Sequence, residues 1–238
     1  MIYIYILKYY ADIVMLKKAA SFFLILLLFF TISCATAGHV RPLAKGENRI
    51  GLSLGGPLMK NLGFPLPAVS VSAGYLRGIT EYYAAGGSLN LSGLLFGFLF
   101  IDSKHVFRFN RQRRALPACS GYAGLNFMTD FKTSAYLFPE LVVTASWQFA
   151  AKHLFYTGLG TWIVFNKEGT EGLRYSDHII PQFFCGADFR IRAWELMVEF
   201  KWLYPWKNNH YSTVDYIGMG KYGALAPYFS VARRWGVK

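Results

Sequence analysis

Asp188, Arg190, Arg192, Glu195, Glu199 and Lys201 are the residues best placed to do chemistry. They recur in steps of two on either side of Ala193-Trp194, so two paired strands would carry all six on one face. A fold at that point sets Arg192 opposite Glu195, Arg190 opposite Met197 and Asp188 opposite Glu199. The other face then joins Ile191, Phe189, Ala187 and Cys185 to Leu196, Val198, Phe200 and Trp202, and is wholly apolar. Charges so arranged can fill an interior as cross-strand ion pairs, which is the expected role. They can also line a passage that selects a charged solute. Asp188 and Glu199 could work as a general acid–base pair, but no nucleophile stands beside them.

A second group, Lys104, Arg108, Arg111, Arg113 and Arg114, is the densest basic run. It is expected to form a positive rim that meets anionic lipid phosphates or lipopolysaccharide. The histidines His39, His105, His153, His178 and His210 have no close ligand spacing, so no metal and no cofactor are expected. His153 near Ser146 and Gln148 is the one place where a Ser–His–carboxylate set could assemble, and the serines there read as inward. Gly55-Gly56 and Gly86-Gly87 fit strand bends and close packing rather than a phosphate loop.

The amino terminus reads as an address. Met15 opens Leu16-Lys17-Lys18, an apolar core follows over Phe22–Phe30, and Thr31-Ile32-Ser33-Cys34 comes next. A short positive region, a compact apolar core and small residues describe a secretory signal. Met15 is an alternative start. Ser33-Cys34 resembles a bacterial lipobox, although Thr31 stands where that pattern usually has leucine. The resemblance implies lipidation of Cys34, and Ala35 after it implies sorting to the outer membrane. The alternative is an ordinary signal cut near Ala35–Gly38. The expected division is a signal over 1–33, a tether over 34–47 and a single domain over 48–238. Cys119 and Cys185 stand alone on separate segments, so no disulfide framework is expected.

The elements that must position these residues are strands. Ile50, Leu52 and Leu54 alternate with Gly51, Ser53 and Gly55; Leu141, Val143, Ala145, Trp147 and Phe149 alternate with Val142, Thr144, Ser146 and Gln148. Strands are expected near 48–56, 67–77, 82–93, 104–111, 118–129, 135–149, 154–165, 179–193, 194–206 and 222–235. Eight or twelve strands stay open, because Leu94–Phe100 could extend a strand or form a plug. Short links at 78–81, 150–153 and 193–194 fall on one side, and long ones at 57–66, 166–178 and 207–221 on the other. Trp194 and Tyr204 are ten residues apart, about 25 Å along a strand tilted near 40°. That is the height of a bilayer's apolar band with aromatic girdles at its edges.

Composition fits this pattern. Of the 238 residues, 54% are apolar and only 16% charged, which excludes a disordered chain and a nucleic-acid tail. Yet only one long apolar run exists, so a bundle of membrane helices is excluded as well. The net charge of +12 could suit nucleic acid, but it is dispersed among aromatics and glycines, and anionic lipid or lipopolysaccharide surroundings fit it equally well.

Across residues 48–238 the chain resembles small bacterial outer-membrane β-barrel proteins. Such barrels end in an aromatic residue read by the barrel-assembly machinery. Here Tyr228, Phe229 and Trp235 precede Gly236, Val237 and Lys238. The resemblance implies an all-β, antiparallel, up-and-down transmembrane barrel of about ten strands in the bacterial outer membrane. Its expected role is structural or that of a small-solute conduit, without catalysis. Two alternatives remain: a barrel enzyme acting on envelope lipids, and a lipid-tethered periplasmic barrel that binds an apolar ligand. The second requires the apolar face to point inward.

Overall fold

The computed structural model describes residues 38–61, 64–132, 135–165, 178–209 and 215–236. The signal segment with Met15, Cys34, and His210 lie outside the described residues.

In chain order the elements are β1 (Asn48–Gly55), β2 (Leu58–Asn61), β3 (Phe64–Pro67), β4 (Ser70–Gly78), β5 (Tyr83–Asn90), a one-turn helix α1 (Leu91–Leu95), β6 (Leu99–Arg108), β7 (Ala118–Thr129), β8 (Ala135–Phe149), a short 3-10 turn (Ala150–Lys152), β9 (His153–Ile163), β10 (Ile179–Ile191), β11 (Trp194–Asn208) and β12 (Tyr222–Trp235). Ten of the strands close into one barrel, running β1, β4 through β12 and back to β1, while β2 and β3 pair separately as a hairpin. Each barrel strand is antiparallel to its neighbours. Closure removes the sheet edges.

Alternation decides the inside and the outside. Leu141 is 50% exposed, Val143 56% and Phe200 55%, whereas Glu199 is fully buried and Asp188 is 1% exposed. The apolar face therefore points outward and the charged face into the lumen. Exposed aromatics stand at both ends of the wall: Trp194, Trp235, Tyr82 and Phe149 at the end with the tight turns, and Trp206, Tyr222, Phe165 and Phe131 at the other.

Three expectations are corrected in detail. The strand expected at 104–111 is Leu99–Arg108. Its start was hidden because the apolar stretch before it breaks alternation. There Asn90 caps α1 by accepting from the Gly93 N–H at 2.7 Å, and the strand begins only after that turn. The long link at 57–66 holds the β2–β3 hairpin, which docks on the last link through Lys60 N–H to Asp215 O and Ile217 N–H to Leu58 O, both 2.8 Å. The β10–β11 hairpin pairs Ile191 with Trp194 and Arg190 with Glu195. The turn is therefore Arg192-Ala193, with Arg192 at φ 54°, and the register differs by two residues from the expected one. A shift of two preserves parity, so both faces keep their residues.

Residues 38–43, expected as part of a tether, enter the lumen. Val40 and Leu43 pack against Leu76, Val106, Tyr122, Leu154 and Tyr156, all buried inside the barrel. The chain comes in at the tight-turn end, where the Gly46 N–H donates to Gly78 O and the Gly78 N–H to Glu47 O.

Candidate functional site: a filled, charged lumen

At the tight-turn mouth, closure of the barrel brings Arg49 of β1 opposite Arg234 of β12. Two guanidinium groups so placed repel, and Glu195 of β11 answers both. Arg49 Nε lies 2.7 Å from Glu195 Oε1, and Arg234 Nη1 lies 3.2 Å from Oε2. Arg234 also grips Glu47 in a two-pronged contact at 2.7 and 2.6 Å. Arg190 bridges Asp188 at 3.1 Å and reaches toward Glu195 at 3.7 Å. Such multiply bonded pairs are the form in which charge survives burial.

Deeper in, Glu199 receives the Tyr156 hydroxyl at 3.0 Å and Lys201 Nζ at 3.4 Å. Lys201 also lies over the Tyr228 ring, 5.1 Å from its centre. Tyr156 reaches this carboxylate by lying across Gly186, where a methyl group would sit 2.5 Å from the Tyr156 hydroxyl oxygen. On the opposite wall Lys104 pairs with Asp102 at 3.5 Å, and Glu140 accepts from Tyr122 and Gln182 at 2.7 and 2.8 Å.

The entering segment occupies the space between these walls. The Gly38 N–H faces both oxygens of Glu199, at 3.1 and 3.3 Å. The Ser120 hydroxyl donates to Val40 O. Arg41 donates from Nε to Ser146 Oγ at 2.8 Å and from Nη2 to Ser146 O at 3.0 Å. The space bounded by Gly38, His39, Val40, Tyr122, Tyr156 and Glu199 has no room for a water molecule.

Of the six residues expected on the charged face, Asp188, Arg190, Glu195, Glu199 and Lys201 point into the lumen, and Arg192 is exposed in the turn. Asp188 stands opposite Met197 and Glu199 opposite Gly186, so the expected carboxylate pair is not formed across the hairpin. Of the basic run, Lys104 is a lumen residue only 3% exposed. Its place on the inward parity of β6 takes it away from lipid. Arg108 is half-buried at the mouth, Arg113 and Arg114 are exposed in the β6–β7 link, and Arg111 pairs with Glu81 at 2.7 Å on the surface. Ser146 donates to Ala118 O at 3.2 Å, and His153 Nδ1 accepts from the Arg190 N–H at 3.2 Å, so the two do not serve one another. Among the described residues no group of histidine, cysteine and carboxylate side chains could hold a metal.

Arg49, Arg234, Asp102, Glu140, Tyr156 and Gln182 were not singled out from the sequence. Parity was the available signal. Arg49 continues the inward series of Gly51 and Ser53, and Asp102 continues that of Lys104.

No family model matches the chain, and no curated protein matches it. Among solved structures, the translocator domain of the autotransporter NalP from Neisseria meningitidis is similar at 11% identity, with a TM-score of 0.43, covering 81% of this chain and 90% of that one. The attachment invasion locus protein Ail of Yersinia pestis is similar at 10% identity, with a TM-score of 0.28, covering 80% of this chain and 99% of that one. Ail in complex with the heparin analogue sucrose octasulfate gives 12% and 0.27, with 80% and 99% covered.

Proposed function

We propose that this chain is a structural barrel of the bacterial outer membrane whose lumen is closed by its own residues 38–43. One observation carries the reading: the outer wall is apolar, while charged side chains such as Asp188, Glu195, Glu199 and Lys201 are buried on the inside beside an apolar cluster. Water would reverse that arrangement, whereas a bilayer requires it. Inside the barrel, Val40 and Leu43 of the chain itself pack against the apolar cluster of Leu76, Val106, Leu154 and Tyr156, where the ligand of a tethered periplasmic barrel would sit. On this reading both ends of the barrel sequence, Asn48 and Trp235, lie on the periplasmic side with the tight turns. The partners are outer-membrane lipids and lipopolysaccharide around the belt, and the barrel-assembly machinery that inserts it. Arg113, Arg114 and Arg192, exposed at the tight-turn end, would meet lipid phosphates.

The conduit is the second form of this reading, and it requires residues 38–43 to leave the lumen. Single-channel recording in planar bilayers separates the two. The wild type is expected to pass no steady current, and deletion of residues 39–44 to open a pore. An open wild type would refute the closed lumen. Heat-modifiable migration on gels and resistance to carbonate extraction are expected as well, and release by carbonate would refute the membrane placement.

A further inference from the structure

We infer that the chain is cut between Ala37 and Gly38, and that the α-ammonium released there is a buried counter-ion of Glu199. The inference rests on the closed-lumen reading, because only a filled lumen holds this nitrogen in place.

The Gly38 nitrogen faces both carboxylate oxygens of Glu199, at 3.1 and 3.3 Å. An amide has one N–H and cannot serve both well. An ammonium has three donors and a full charge, and meets both at once. Glu199 is fully buried, where a carboxylate needs opposite charge. Lys201 stands on the Oε1 side at 3.4 Å, while Oε2 has the neutral Tyr156 hydroxyl at 3.0 Å. Glycine also suits this approach, since a methyl carbon at position 38 would lie 3.0 Å from Glu199 Oε2, a tight contact.

The sequence just before Gly38 is Ala35-Thr36-Ala37, the small-x-small spacing that leader peptidases cut after. Hydrolysis adds the hydroxyl of water to the Ala37 carbonyl and a proton to the Gly38 nitrogen as the peptide bond breaks. Ala37 departs as a carboxylate with the leader, and the amine takes up a further proton near neutral pH.

The competing modification, lipidation of Cys34, would leave the Gly38 nitrogen an amide within the chain, with one N–H and no charge to offer Glu199.

The first test is intact mass and amino-terminal sequencing of protein purified from outer membranes. The expected start is Gly38-His39-Val40-Arg41 with a free amine. A diacylglyceryl group on Cys34, or any other start, overturns the inference. The second test is the rate at which an amine-reactive ester labels the Gly38 amine in folded barrels. Held against Glu199 inside the filled lumen, that amine is withheld from the reagent, so folded wild type is expected to label at least about tenfold more slowly than the urea-unfolded chain. Glu199→Gln is expected to remove most of that protection. Equal rates in folded and unfolded wild type overturn the counter-ion, a comparison that stands even if Glu199→Gln does not fold. A start at Gly38 together with an open wild-type channel would refute the closed lumen and leave the cleavage intact.

Discussion

At the scale of single residues, Glu195 is the pivot of the lumen. It stands between Arg49 and Arg234, which are cross-strand partners. Glu195→Gln takes the carboxylate from the buried Arg49 guanidinium, which then faces the half-buried Arg234 with only Glu47 left on Arg234. The expected cost is about 3–5 kcal/mol, read as a lower urea midpoint for barrels folded in lipid vesicles. Arg192→Ala, in the exposed turn, is expected to change stability by less than about 0.5 kcal/mol. A large effect at Arg192 would contradict its placement outside the lumen. Glu195 was legible in the sequence because Asp188, Arg190, Glu199 and Lys201 share its hairpin. Its partners were not. Arg49 and Arg234 lie on the first and last barrel strands, and only closure brings them together.

Among the elements, period two carried nearly all the information. Strands were expected at ten places and lie at those places, because each wall residue answers to lipid or lumen and seldom to both. The signal failed where that division fails. Around Leu94–Phe100 both faces are apolar, so the start of β6 moved. In the β10–β11 hairpin, parity survives a slip of two, so alternation could not choose between registers; the turn made that choice. The belt itself is tested by Phe200→Arg, on the outward face of β11 opposite Cys185. Near mid-membrane the substitution is expected to cost about 2–4 kcal/mol in vesicles. A barrel that tolerated it there without loss would not be held by a bilayer at this height.

Considered whole, the molecule offers a chemical reporter of its orientation. Cys185 is exposed on the outer wall and is a free thiol. In vesicles it is expected to react with an apolar maleimide and to resist a charged, membrane-impermeant thiol reagent. Equal reaction with both would place this wall in water. The path of residues 38–43 was the least legible feature at this scale. The stretch has no period, and its position depends on how much room the finished wall leaves. That position also constrains the order of assembly. The contact between Gly38 and Glu199 joins residues 161 apart in sequence, and the segment immediately precedes β1. If the ring shut first, the amino terminus would have to be pushed blind into a lined hole. If the seam of β1 with β12 shuts last, the wall curls around a strand of chain already in hand, and the segment acts as a mandrel on which the barrel is wound.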